Sequence, residues 1–131
     1  ALTQLNYNLY NRVSTSDTRL LRRMYRDSQF RNHSPEQTLM RWPSVRKGES
    51  KWIFPYQENA DIYFNSALEY EWSVFSGILF ELLSSIPSDS TVKVEAERLC
   101  RLLELFVPFG TEYIPPTSLI QEFLGGSSFK Y

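Results

Sequence analysis

Arg19, Arg22, Arg23 and Arg26 fall in one short stretch of the chain, and arginines at that spacing are suited to gripping oxyanions. At about 100° per residue they share an arc of roughly 100° on a helix, with Leu20, Leu21, Met24 and Tyr25 on the opposite arc. Each like-charge pair at i,i+3 or i,i+4 costs roughly 0.2–0.5 kcal/mol. Four guanidinium groups on one face therefore call for an anion against them, and phosphate, which guanidinium can bind through two parallel hydrogen bonds, is the expected one. The plain alternative is a solvated face with scattered ion pairs, such as Arg23 with Asp27 at i,i+4.

The chain-wide charge is −1, yet it is strongly polarised. Arg12 to Lys51 carry ten cations and four acids, a surplus of +6, whereas Trp52 to Tyr131 carry four cations and eleven acids, or −7. A dedicated nucleic-acid binder is usually basic as a whole. A basic patch on a near-neutral chain suits a small, highly charged ligand better.

Other chemistries lack their residues. Glycine occurs only at Gly48, Gly77, Gly110, Gly125 and Gly126, so the phosphate loop G-x-x-x-x-G-K-[ST] is missing. The single histidine, His33, and the single cysteine, Cys100, are far apart in sequence and have no recognisable nucleophile–base setting. No His/Cys/Asp/Glu cluster has metal-ligand spacing, so no metal site is expected. Cys100, among Leu99, Leu102 and Leu103, reads as a small buried hydrophobe in a reducing compartment. The most apolar stretch, Ala67 to Ile86, contains Glu69, Glu71 and Glu81 and so reads as a core helix, not a membrane span; a cytoplasmic protein is expected.

The elements that must position the arginines follow from periodicity and breakers. With 131 residues, 42% of them hydrophobic, one domain is expected. Residues 1–6 read as a strand and 7–15 as a polar connection, with Ser14, Thr15 or Ser16 capping an arginine helix that runs to about Gln29. Ser34-Pro35-Glu36-Gln37 has the pattern of a capping box, opening a short helix that Pro43 should end. Lys47-Gly48-Glu49-Ser50 reads as a turn, Trp52, Phe54 and Tyr56 alternate as in an extended segment, and 60–65 read as a buried strand. The longest helix is expected next, through Leu68, Trp72, Phe75, Leu79, Leu82, Leu83 and Ile86. Another should span Thr91 to Phe106, capped by Asp89 or Ser90, and a last one Thr117 to Leu124, stopped by Gly125-Gly126. The fold class is thus mostly α with two short strands, an α+β fragment. Trp42, Trp52, Phe54 and Tyr56 read as core or interface aromatics. Asp61 is either a structural carboxylate on its strand or part of a nucleotide site.

The run Asp17-Thr18-Arg19-Leu20-Leu21-Arg22-Arg23-Met24-Tyr25-Arg26-Asp27, followed by Arg31, resembles the lid of the uridine/cytidine kinase branch of P-loop kinases, which reads D-x-R-L-x-R-R-x-x-R-D-x-x-x-R-G-R. Trp42-Pro43-Ser44-Val45-Arg46, Phe54-Pro55-Tyr56-Gln57-Glu58, Phe64-Asn65-Ser66-Ala67-Leu68 and Phe123-Leu124-Gly125-Gly126-Ser127 are similar to a bacterial subgroup of uridine kinases. The resemblance implies a C-terminal lid-and-helix part of a P-loop α/β kinase, with lid and flanking strands in 1–66 and a helical extension in 67–131. Ala1-Leu2-Thr3-Gln4-Leu5 begins without methionine and already reads as a strand, as if cut from a larger chain. The implied catalytic residues are Arg26 and Arg31, reaching the phosphates being transferred; Arg19 and Arg22 join them as phosphate-binding residues. Arg23 lies near the nucleoside, and His33 takes the substrate-side position of the family's last arginine, since Arg31-Asn32-His33 stands where the family has Arg-Gly-Arg.

ATP and Mg²⁺ are the implied cofactors, bound mainly by residues upstream of the lid, so this part alone should be inactive. The implied partners are a nucleoside and a nucleotide, with no membrane; exposed strand edges would favour homo-oligomers. Two other classes remain open: a single-stranded nucleic-acid binder using the basic helix and the aromatics after Trp42, and an interaction module docking through the acidic half, Glu69 to Glu122.

Overall fold

The structure, a computed structural model, describes residues 6–129. Five α-helices order the described residues: α1 (Thr15–Phe30), α2 (Pro35–Trp52), α3 (Glu71–Ser84), α4 (Lys93–Leu103) and α5 (Gln121–Leu124), with short 3-10 turns at Phe54–Asn59 and Thr111–Tyr113. Among the described residues, strand pairing is confined to an isolated antiparallel bridge between Asn6 and Arg12. The mostly helical expectation holds. The strand expected at 1–6 lies, except for Asn6, outside the described residues.

The second expected strand does not form. Residues 60–65 run as exposed irregular chain, with Ile62 86% and Phe64 77% exposed. Apolar alternation favours a strand only where a neighbouring strand accepts its backbone hydrogen bonds and covers one face. Neither is found here among the described residues, so the strand edge invoked for self-association is also missing from this segment.

Helix α1 starts as its sequence dictates: Ser14 is extended and its side chain accepts a hydrogen bond from the Ser16 amide. Its apolar arc is fully buried at Leu20, Leu21 and Met24, leaving the arginines on the other side. Helix α2 starts at the expected capping box, with the Ser34 and Gln37 side chains each bonded to the other's backbone. It does not stop at Pro43 but continues through the expected 47–50 turn to Trp52, making it an 18-residue helix with an internal proline. An interior proline costs about 3 kcal/mol of helix propensity. Burial on both sides of the proline offsets it: Leu39 and Trp42 enter the core before Pro43, Val45 packs on it after, and Glu49 is buried one turn further on. Tertiary packing thus overrides a local break.

Helix α3 covers 14 residues, so the longest helix is α2 and not the apolar one. Residues 68–70 form a turn into α3 instead of its first turn. Helix α4 begins at Lys93, later than expected, and has no side-chain cap; Ser90 Oγ instead accepts the Val92 amide within the preceding turn. Helix α5 is only one turn, closed by Gly125 in the left-handed conformation at φ 90°, whose amide bonds back to Gln121 O at 2.8 Å.

Helix α3 packs against α4, and α1 lies across α2, α3 and α5. One buried cluster joins both halves of the chain: Leu20, Leu21 and Met24 share it with Trp72, Phe75, Leu79, Leu83, Leu99 and Leu103. The Trp72 indole N–H donates to Thr18 Oγ1 at 2.9 Å, fixing α3 to α1. Beside Thr18, Arg98 of α4 forks onto Asp17 at 2.8 and 3.0 Å and onto Glu95, and the Glu95 and Asp17 carboxylates raise the guanidinium's pKa above its ordinary value. Cys100 is half-buried, with its Sγ 3.7 Å from Ser84 Oγ.

Candidate functional site

The arginine face is built by α1 and bounded by its neighbours. Two clefts open beside it. The larger, about 720 Å³, lies between the first turns of α1, the chain after α2 and the 63–68 loop; the smaller, about 240 Å³, is lined by Arg19, Arg22, Arg23, Arg26, Trp42, Val45, Glu49 and Phe123. Arg19, Arg22 and Glu49 line both, so they form the wall between the clefts. The four arginines singled out from sequence therefore do converge on one concavity.

They do not converge unaccompanied. Arg22 is the most committed of the set: its Nε and Nη2 both reach the Glu71 carboxylate, the latter at 2.7 Å, and the same Nη2 donates to Ser66 O at 2.7 Å while Nη1 reaches Ser66 Oγ at 3.4 Å. The Phe123 ring stacks near its guanidinium carbon at 5.5 Å. Arg19 Nη2 lies 2.8 Å from Glu49 Oε1. Asp27, with only 3% of its side chain exposed, is shared by three guanidiniums, Arg23 at 3.3 Å, Arg31 at 3.4 Å and Arg26 at 3.5 Å. The ion pair expected between Arg23 and Asp27 is present as one arm of this hub.

Counted together, Arg19, Arg22, Arg23, Arg26 and Arg31 bring five positive charges to Glu49, Glu71 and Asp27, leaving a surplus of two. Internal carboxylates thus relieve the repulsion that from sequence alone called for an external anion. The relief is incomplete, because one carboxylate serves three cations at distances longer than a tight charge-assisted bond of about 2.7–2.9 Å. Arg26 Nε is buried and makes no hydrogen bond in the protein.

The remaining positions separate from this cluster. His33 is half-buried beyond the end of α1; its amide donates to Asp27 O at 3.1 Å, and its ring nitrogens lie 3.2 and 3.4 Å from Arg41 Nη1. His33 is therefore tied to the Asp27 turn through its backbone but does not line either cleft. Asn32, just before it, has φ 51°, a left-handed turn position that a short amide side chain tolerates. Asp61 is exposed on the irregular 60–65 segment, so its role as a carboxylate on a buried strand falls away. Arg46 Nη1 donates to Ser16 Oγ at 2.7 Å, joining α2 to the start of α1 beside the larger cleft.

Glu49 and Glu71 are the site residues that sequence reasoning missed. Glu71 carries a signal in hindsight, a carboxylate next to Trp72 at the head of an apolar helix, but its partner is 49 residues away. Glu71 is fully buried, and burial pushes its carboxyl above the ordinary value of 4.5 while the Arg22 guanidinium and the Leu68 backbone pull it back. A carboxyl whose folded-state pKa is raised binds more protons folded than unfolded, so its contribution is fully present below about 4.5 and is lost as pH climbs through the folded value. The unfolding free energy of wild type minus that of Glu71→Gln is accordingly expected to fall as pH rises from about 4 towards neutrality. Denaturant melts of the two proteins across that range measure it; a difference that grows with pH contradicts the assignment.

The smaller cleft presents guanidinium N–H donors, and among the described residues no group of three or more His, Cys, Asp or Glu is placed to hold a metal ion. Among them, too, no helix is long and apolar enough to cross a membrane. What the fold defines is a mostly helical structure with an arginine-lined cleft. Comparison with family models, curated proteins and solved structures gives no match.

Proposed function

We propose that this chain is the lid-bearing part of an ATP-dependent nucleoside kinase of the uridine/cytidine type, in which the arginine cleft receives the phosphates during transfer to the nucleoside 5′-hydroxyl. The observation that carries the reading is Arg26: it lines a cleft with three other arginines, its Nε–H is buried without a partner, and it shares a single carboxylate with Arg23 and Arg31. With 32% of the Arg26 side chain exposed, its guanidinium can still meet an anion in that cleft. Phosphoryl transfer spreads negative charge over oxygens that positioned guanidiniums can hold, which is the form of help a lid can supply without a nucleophile or base of its own. The resemblance of Asp17 to Asp27, with Arg31, to the lid sequence supports the same reading from an independent side.

The residues divide by their freedom. Arg26 and Arg31 are the catalytic pair of this proposal; Arg31 is half exposed, lies outside the lining of both clefts and reaches Asp27 at 3.4 Å. Arg23 sits beside them towards the nucleoside, and Arg19 extends the phosphate contact along α1. Arg22, with its nitrogens already on Glu71 and Ser66, contributes charge and holds the 66–71 segment in place. ATP with Mg²⁺ supplies the transferable phosphoryl group; this chain's residues supply guanidinium donors around it.

The Arg26→Gln/Arg31→Gln double variant tests this. In the 131-residue chain it is expected to weaken ATP binding at least tenfold, read by calorimetric titration. In a polypeptide that joins this chain to a phosphate-loop half, it should lower turnover about a hundredfold or more, as loss of transition-state donors does. Undiminished turnover in that joined polypeptide ends the proposal. The large exposed aromatics Trp52, Phe54, Tyr56 and Phe64 favour a second reading, an interaction or single-stranded nucleic-acid surface. The same titration separates it: affinity that climbs with oligonucleotide length and collapses with salt, with no preference for ATP, belongs to that reading.

A further inference from the structure

The wall between the two clefts holds a group that works against anion binding. Glu49 is 5% exposed, lines both clefts, and lies within 2.8 Å of Arg19, yet its Oε1 makes no hydrogen bond in the protein. The Arg19–Glu49 contact is thus an ion pair by distance without an aligned N–H. Glu71 and Asp27 differ in this respect. Glu71 is gripped by two nitrogens of Arg22, and Asp27 is held on three sides. Of the three carboxylates that neutralise the arginine face, Glu49, near the end of α2, is the one whose contact has no aligned N–H.

We propose that Glu49 is an internal competitor for the arginine cleft: in the empty protein it occupies Arg19, and a polyphosphate displaces it to take that guanidinium. The inference rests on the phosphate-binding reading of the cleft and adds its internal regulation. A carboxylate in a binding wall repels an incoming anion and ties down one of its donors, so both effects have the same sign. A linear polyphosphate that spans from Arg26 to Arg19 recovers the contact that Glu49 gives up. Removing the carboxylate charge while keeping the side chain's shape should therefore tighten binding, an outcome that loss of a merely structural ion pair does not produce.

The test is calorimetric titration of the 131-residue chain with inorganic tripolyphosphate at low salt, wild type against Glu49→Gln. A gain in affinity of at least fivefold in Glu49→Gln is expected. Affinity that is unchanged or lower in the variant overturns the proposal. If the variant does not fold, the wild-type chain decides: the Glu49 side-chain carboxyl resonance must shift on saturation with tripolyphosphate, and one that stays in place while the Arg26 side-chain signals move overturns the proposal. Absence of tripolyphosphate binding in both proteins removes this inference together with the reading beneath it. Binding that Arg26→Gln/Arg31→Gln abolishes but Glu49→Gln leaves unimproved removes only the competitor.

Discussion

Arg22→Ala is expected to destabilise the chain by about 3–5 kcal/mol, because it strands the Glu71 carboxylate without its counter-charge. Glu71 is fully buried, and both of its oxygens are held by Arg22. The same substitution releases Ser66, whose backbone oxygen and hydroxyl take the other bonds of that guanidinium, and uncovers the Phe123 ring of α5. Three segments distant in sequence are thus joined through one side chain. Because a domain of this size is stable by only about 5–15 kcal/mol, the variant should melt at markedly lower denaturant in a urea titration. Replacing both partners, as in Arg22→Met/Glu71→Met, removes the buried charges together and should recover most of the loss. If Arg22→Ala unfolds within about 1 kcal/mol of wild type, the pair is not the structural tie described here.

Trp72→Ala should cost a comparable amount, about 3–5 kcal/mol, for a different reason. The Trp72 side chain is fully buried at the head of α3, packs on Phe106 with ring centroids 5.3 Å apart, and bonds to Thr18 on α1. Truncation leaves a cavity between two helices and removes the donor from the Thr18 hydroxyl, which keeps only its longer bond to Ser14 O at 3.4 Å. Trp72→Phe keeps most of the packing and loses the indole N–H, so it should fall between wild type and alanine. Thermal and urea unfolding of the three proteins checks that order. The consequence for the site is direct, since the Thr18 contact fixes the turn of α1 on which Arg19 and Arg22 stand.

The parts of this protein legible from sequence are those in which neighbours along the chain settle the matter. The buried arc of α1, the capping box of Ser34 and Gln37 and the glycine stop at Gly125 formed as read, and of the three capping candidates Ser14, Thr15 and Ser16 the structure uses Ser14, because each is a contest among residues within one or two turns. That Arg19, Arg22, Arg23 and Arg26 share one face followed from helical geometry alone, whereas the concavity they line is completed by Trp42, Val45 and Glu49 of α2 and Phe123 of α5. Local rules failed where distant packing outweighed them. Pro43 did not end α2, since Trp42 and Glu49 are buried on either side of it, and 60–65 did not become a strand for want of a paired neighbour among the described residues.

The amino-acid sequence by itself determined that an arginine face would exist and which residues would compose it. Only the tertiary structure decided what those arginines face. Glu49 and Glu71 reach them from α2 and α3, and Asp27, which belongs to α1 itself, was readable as a partner of Arg23 but not as a hub for three cations. Charge acts through space over several ångströms, whereas sequence spacing fixes distance only within a helix; which carboxylates come within reach is set by how the helices pack.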